Sequence, residues 1–268
     1  EYNNYPRGLE NGNGGNCPTQ TLVDAYEIKK TGKLWNEEGS GYDAANPYAG
    51  RDPRFAMTIA VNGEKKWPSY NGDALETYYG GKNGEPIVGA TPTGYYLKKY
   101  CDGSVNISSV NSTNSPHAWI MFRLGEFYLN YAEALNECDP GNEEILVYLN
   151  KIRERAGVRQ YTTGNTDDNY IHVNLNNQSE MRNLIHAERR VELNCEGLRY
   201  DDLRRWKEAE KVLTGPFYGM NAYGRDAASF YKRTVYQTRV YKKAFYWFPI
   251  HQSEIDKNTK LKQAPYWN

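Results

Sequence analysis

The amino-acid sequence predicts a mainly α fold, built of helix hairpins beneath long irregular loops and a few short β-strands. Three observations predict it. Apolar residues recur at three- and four-residue steps through the second half, stretches rich in Gly, Asn and Pro fill much of the first, and one short segment alternates with a period of two. The 268 residues suffice to bury a sizeable core. Charge is balanced, 33 basic against 33 acidic side chains, which gives no electrostatic ground for a nucleic-acid or anionic-membrane partner.

Residues 1–16 are rich in Asn and Gly and read as a surface loop. A helix is predicted over 18–30, with Pro18 in its first turn and Gly32 beyond its end. Trp35 and Tyr42 follow in a second loop. Phe55, Met57, Ile59 and Val61 alternate as in a half-buried strand, closed by an Asn62-Gly63 turn. Residues 64–115 then form a long loop dense in Gly, Asn, Ser, Thr and Tyr and interrupted by Pro68, Pro86 and Pro92. Loops of that length in a compact domain are usually functional or disordered.

Leu124, Tyr128, Tyr131 and Leu135 set the apolar stripe of a helix over 119–137, ended by Pro140-Gly141. Ile145, Leu149, Ile152 and Ala156 repeat the pattern after Asn142, an N-cap followed by Glu143 and Glu144 at the positive end of the helix dipole, and Gly157 stops it. Ser179 is the expected cap of a helix carrying Met181, Leu184, Ile185, Val191 and Cys195 and closed by Gly197. Leu203, Trp206, Ala209 and Leu213 mark its partner. Short-linked helices with facing apolar stripes form antiparallel hairpins, which bury their core by stacking into an α-superhelix. The chain therefore reads as one domain over 1–268: a loop-rich, ligand-facing part at 1–118, helix hairpins at 119–215, and a loop and carboxy-terminal tail at 216–268.

Neither a metal nor a cofactor is expected. Cys17, Cys101, Cys138 and Cys195 lack metal-ligand spacing, as do His117, His172, His186 and His251. There is no Gly-x-Ser-x-Gly elbow, P-loop or dinucleotide fingerprint. Glu188 and Glu192 invite a glycoside hydrolase reading, but arginines are interleaved with them, Arg189 at a spacing that pairs with Glu192, so a structural charge network is the stronger expectation. No stretch approaches the roughly 20 apolar residues that cross a bilayer.

The unusual feature is aromatic. Twenty-four Tyr and 6 Trp stand against 7 Phe, so most rings carry a polar handle, which suits a wet binding surface. The candidate ligand-binding rings are Trp35, Trp67, Tyr70, Tyr78 and Tyr79, with Asn71, Asp73 and Arg51 as polar partners. They lie in Gly- and Asn-rich loops where no periodicity assigns them to a core. The alternative for Trp35 and Trp67 is that they staple a loop onto the helices. For Arg51 it is a turn held by local hydrogen bonds. Trp119, Trp206 and Trp247 lie in periodic or strand-like segments and are expected in the core.

Five strings carry a resemblance: NPYAGRDPRF (46–55), FRLGEFYLNYAEALNE (122–137), LNKIRERAGV (149–158), HAERRVELNCEGLRYDDLRRW (186–206) and WFPIHQSEIDKNTKLKQAPYW (247–267). In order and spacing they resemble the carboxy-terminal region of the SusD/RagB family across nearly the whole chain. The closing string departs from the family pattern, with His251 in place of a second proline and Gln263-Ala264-Pro265-Tyr266 in place of a Gln-Asn-Pro-Gly ending. The resemblance implies tetratricopeptide-like helix hairpins and a non-catalytic lipoprotein of the outer membrane. Such a protein captures an oligosaccharide or polysaccharide at the cell surface and delivers it to a TonB-dependent, SusC-like transporter. It also implies that the lipid anchor and most repeat helices belong to an amino-terminal region outside this sequence. The RagB side of the family implies a peptide as the alternative cargo.

Overall fold

The computed structural model describes residues 3–65, 74–105, 113, 120–164 and 167–267. Its first part holds only short elements: α1 (Gln20–Val23), α2 (Pro53–Thr58) and the antiparallel pair β1 (Ile59–Ala60) and β2 (Tyr96–Leu97). The helix expected over 18–30 is thus a single turn. Thr19 caps it, accepting a hydrogen bond from the Leu22 amide, but Ile28 then bridges to both Lys33 and Arg51. That pairing draws the chain out of helical geometry. The strand expected over 54–61 is also corrected. Asp52 accepts from the Arg54 amide and Pro53 sits at the first helical position, so this stretch starts as α2 and only Ile59–Ala60 is extended.

The second part is the helical scaffold. α3 (Leu124–Cys138) and α4 (Glu144–Ala156) form the first hairpin. β3 (Gln160–Thr162) follows and pairs in parallel with β4 (Tyr170–His172), and α5 (Gln178–Glu192) then packs back on α3. Their shared core is Leu129 and Ala132 of α3, Ile145, Leu149 and Ile152 of α4, and Met181 and Ile185 of α5, closed by Tyr161, Val173 and Leu175. The α4 stripe and its Gly157 stop are as expected, with Gly157 left-handed at φ 69°. The α3 stripe holds only in part, since Tyr128 and Leu135 pack against this core. Leu124 and Tyr131 face outward, while Leu129, Ala132 and Asn136 are buried, because α3 must serve two neighbours at once. Asn136 sits between them, donating to the Gln178 carbonyl at 3.0 Å and accepting at its own carbonyl from the Gln178 amide at 2.9 Å. The α5 cap is Asn177 rather than Ser179, its side chain accepting from Glu180 N–H.

α6 (Arg199–Arg205) and α7 (Ala209–Val212) complete the helical region, separated by Lys207 at φ 61°. An antiparallel hairpin follows, β5 (Gly215–Met220) and β6 (Arg233–Arg239), with α8 (Ala227–Phe230) in its turn and a register shift at Phe217/Tyr218. A 3₁₀ turn (Lys243–Tyr246) and α9 (Gln252–Lys257) end the chain. No helix among the described residues is long and apolar enough to cross a membrane.

A buried charge network joins the two parts. Glu188 of α5 accepts from Arg54 at 2.6 Å and from Arg153 at 2.7 Å, Arg153 also holds Glu27 at 2.8 Å, and Arg54 holds Asp52 at 2.7 Å. Glu192, one turn on, accepts from Arg54, Arg123 and Arg155. Arg189 pairs with Asp202 of α6 at 2.7 Å and not with Glu192 as expected, because its side chain points from α5 toward α6. The loop that carries Trp35 is flanked on both sides by residues held to the helices through these ion pairs, Glu27 before it and Arg54 after it.

Candidate functional site

The β5–β6 hairpin is seated on a second core of Val23, Tyr26, Phe55, Ile59, Tyr95, Met220 and Phe230, flanked by half-buried Tyr48, Tyr78 and Tyr231. Its backbone is tied down by Met220 N–H donating to the Thr93 carbonyl at 2.9 Å and by Asn221 N–H donating to the Phe230 carbonyl at 3.0 Å. This rigid mount carries two aromatic groups, one on its strands and one in its turn.

On the strands, Arg233 lays its guanidinium 4.5 Å from the Trp35 ring centroid and 5.4 Å from that of Tyr218, and pairs with Asp24. Trp35 meets Tyr42 edge to face at 5.8 Å. The loop that presents Trp35 is held locally: Thr31 Oγ1 donates to the Ser40 carbonyl at 2.8 Å, and Glu37 N–H to the Leu34 carbonyl at 3.1 Å. Trp35 is half-buried, so one part of the ring packs and the rest is open to solvent. Burial lowers the Arg233 pKa from its ordinary value, and stacking on two π-faces compensates part of that lost hydration.

In the turn, Tyr223 is 69% exposed and lies 6.2 Å from Tyr79, whose ring Arg225 covers at 4.7 Å. Tyr79 N–H donates to the Gly224 carbonyl at 3.0 Å, joining the 74–97 loop to the hairpin turn. Only glycine fits at 224, since a Cβ there would lie 2.4 Å from the Phe230 nitrogen. The 74–97 loop is itself braced from within. Asn83, fully buried, accepts from Glu76 N–H at 3.0 Å and donates to the Arg7 carbonyl at 2.9 Å.

The structure therefore separates the sequence candidates. Trp35 and Tyr79 reach the surface in aromatic groups. Tyr78 is half-buried against the core below Tyr79. Arg51 is only 6% exposed and donates to the carbonyls of Val23, Tyr26 and Pro47. Its guanidinium is directed into the fold rather than toward solvent. Trp67, Tyr70, Asn71 and Asp73 lie outside the described residues, as does Trp119. Trp206 is half-buried against His186. Trp247, expected in the core, is partly exposed at the tail, where it packs on Tyr246 and Tyr266. Sequence reasoning missed Tyr218, Tyr223, Arg225 and Arg233. The Asn221-Ala222-Tyr223-Gly224 string holds a turn signal that could have marked the hairpin.

The buried carboxylates offer no substrate-facing pair. Glu188 and Glu192 side chains are each 2% exposed and engaged by at least two guanidiniums. Burial pushes the Glu188 carboxyl up, but Arg54 and Arg153 outweigh it and hold the group below its ordinary value. Among the described residues no cluster of His, Cys, Asp and Glu could hold a metal ion.

A mainly α scaffold of tetratricopeptide-like hairpins, with an aromatic-rich loop and hairpin layer on top, defines a SusD-like fold. The family model for SusD matches residues 1–267, and the chain belongs to the SusD family. SusD-like protein P2 of Formosa agariphila is 31% identical over 193 residues, 69% of this chain and 35% of that protein. A SusD-like protein (BF3747) of Bacteroides fragilis superposes with a TM-score of 0.72 at 28% identity, covering 96% of this chain and 48% of the other. A SusD-like carbohydrate-binding protein (BF0978) of the same species gives 0.69 at 26%, covering 97% and 51%. The chain thus spans about half, or less, of the length of these relatives.

Proposed function

We propose that this chain is part of a cell-surface glycan-binding protein, held at the outer membrane by a lipid anchor, that captures an oligosaccharide or polysaccharide and delivers it to a TonB-dependent, SusC-like transporter without chemistry. The observation that carries the reading is the solvent-facing Tyr79–Tyr223 pair with Arg225 over it, on a braced mount. A pyranose presents an apolar C–H face and a rim of hydroxyls, so it is matched by an open ring for the face and by adjacent donors for the rim. Trp35 with Arg233 supplies a second platform of the same kind on the same hairpin. Family membership and the carbohydrate-binding description of the Bacteroides fragilis relative support the cargo class.

Calorimetry against neutral and acidic oligosaccharides tests this reading. Binding should fall between micromolar and millimolar, about 4 to 8 kcal/mol. Tyr223→Ala should weaken it about tenfold, the loss of roughly 1.4 kcal/mol. Failure of every glycan to bind, or full affinity in both Tyr79→Ala and Tyr223→Ala, would remove the reading.

A second cargo, an extended peptide, draws on β6. This seven-residue strand pairs only with β5 among the described residues, which leaves an edge that a peptide could extend. Peptides without glycans in a native pull-down would favour it.

A further inference from the structure

A pocket of about 240 Å³ opens between α5, the loop ahead of Trp35 and the start of α6, lined by Ala25, Leu34, Asn183, His186, Ala187, Arg190, Arg199 and Glu208. Its charge is unusual for this molecule. Elsewhere the buried and half-buried arginines of α4 and α5 meet carboxylates: Arg153 holds Glu188 and Glu27, and Arg189 holds Asp202. The two arginines of the pocket do not. Arg190 donates to the Thr21 carbonyl at 2.7 Å, and among the described residues neither it nor Arg199 forms a salt bridge. Asp202, the acid nearest to Arg199 in sequence, is already engaged by Arg189 and Arg205. The one carboxylate in the lining, Glu208, sits 3.7 Å from His186 Nδ1.

We propose that this pocket binds a small oxyanion, a carboxylate or sulfate group of the kind carried by acidic sugars, through Arg190 and Arg199 with Asn183 as a further donor. Two guanidiniums facing one cavity repel each other until an anion enters, and each presents a planar fork suited to two parallel N–H···O bonds. The Arg190 guanidinium is pushed down to about 10, first by burial and then by Arg199, and burial also lowers Arg199. Glu208 and Asp202 attract Arg199 without forming an ion pair with it, so among the described residues neither guanidinium has a direct carboxylate partner. His186 forms a fixed wall, stacked on Trp206 with ring centroids 3.4 Å apart. Ala25, Ala187 and Leu34 leave the room, far more than the ~30 Å³ share of one water. Glu208 opposes an anion, so the site selects for ligands that reach the two arginines rather than for negative charge in general. The inference is independent of whether the aromatic rings bind a sugar.

The test is calorimetry on the whole chain with sodium sulfate, galacturonic acid and galactose, each against sodium chloride at matched ionic strength. At least one of the two anions should bind with a Kd of about 1 mM or tighter, and galactose should not. Sulfate alone points to a tetrahedral anion, free or esterified, whereas galacturonic acid, alone or with sulfate, points to a uronic acid residue, and either result supports the site. Arg199→Gln should weaken the anion about tenfold. Ala187→Leu, which fills the cavity without touching a charge, should do the same in a chain whose circular dichroism matches the wild type. No anion binding beyond chloride, equal binding of galactose, or unchanged affinity in both variants overturns the proposal.

Discussion

Arg153 of α4 and Glu188 of α5 meet at 2.7 Å with both side chains only 2% exposed. The same guanidinium donates to Glu27 at 2.8 Å and lies 4.3 Å from the Tyr161 ring centroid. One side chain therefore joins the helical scaffold to the loop-rich part. Desolvating such a pair costs several kcal/mol, which its Coulomb attraction and hydrogen bonds offset only while both partners are present. Arg153→Met should leave Glu27 without this partner and Glu188 with Arg54 alone. The expected loss is about 3 to 5 kcal/mol of unfolding free energy, read from urea denaturation. A loss below about 1 kcal/mol would show that the network contributes little to joining the two parts.

Acid should destabilise the fold in two steps. Burial, opposed by Glu133 and Glu208, holds the His186 imidazole below its ordinary 6.5. Its neutral form is therefore the folded one, and the stability it contributes is present above about 6.5 and lost as pH falls toward the folded value. Glu188 is likewise depressed from its ordinary 4.5, so its contribution is present above about 4.5 and lost as pH falls through the folded value. Chemical denaturation from about pH 7.5 down to about pH 3, a range that spans both ordinary values, should show a shallow and then a steep decline. His186→Gln should remove the shallow step and leave the steep one.

Gly157 closes α4 in the left-handed region, at φ 69°, and a Cβ there would find nothing closer than Lys29 Nζ at 3.9 Å. The position is open in space and restricted only in backbone conformation. Gly157→Ala should therefore cost the left-handed penalty alone, about 1 to 2 kcal/mol by thermal or urea unfolding, with no change in ligand affinity.

What the sequence could say follows from how local each feature is. α4 was legible because Ile145, Leu149 and Ile152 and the Gly157 stop lie within one helix and nothing distant overrides them, although the cap is Glu143 and not the expected Asn142. The outward face of α3 was not. Leu124 and Tyr131 have helical spacing, but so do Leu129, Ala132 and Asn136, and only the positions of α4 and α5 decide which set is covered. The helix over 18–30 failed for the same reason, since Ile28 pairs with Lys33 and Arg51. Among the candidate rings, loop composition marks Trp35 and Tyr79 as outside a periodic core but cannot supply their partners. Tyr79 meets Tyr223 only because Tyr79 N–H and the Gly224 carbonyl join two distant loops. Arg51 shows the converse: a loop arginine looks available in sequence, yet its two terminal nitrogens are taken up by three backbone carbonyls inside the fold.

The outer face of α3 carries Leu124, Phe127 and Tyr131, all exposed. Apolar surface gathered on one face favours association in water. Leu124→Glu with Phe127→Glu removes two of these exposed groups, of which Phe127 meets the also exposed Phe122 ring at 6.4 Å, so each should change unfolding free energy by no more than about 0.5 kcal/mol. The same double variant should lower the concentration dependence of light scattering relative to the unsubstituted chain. A large loss of stability would mean that the face is packed in solution, and unchanged scattering would mean that it does not drive association.

The last prediction separates the ring that should bind from the ring that only packs. Trp35 is half-buried beneath Arg233, with part of its surface open, whereas Trp267 is tied by its Nε1–H to the carbonyls of Ala244 at 2.9 Å and Trp247 at 3.1 Å. If a sugar stacks on the hairpin, Trp35→Ala should cost about 1 to 2 kcal/mol of glycan affinity, roughly fivefold to thirtyfold. Arg233 should then lose one of its two aromatic neighbours but keep Tyr218 and its ion pair with Asp24, so the fold should survive and the change should appear in binding. Trp267→Phe should do the reverse, lowering the unfolding midpoint through two lost acceptor contacts and leaving affinity alone. Equal affinity in wild type and Trp35→Ala, measured by the same calorimetry, would assign Trp35 to loop anchoring and leave Tyr79 and Tyr223 as the binding surface.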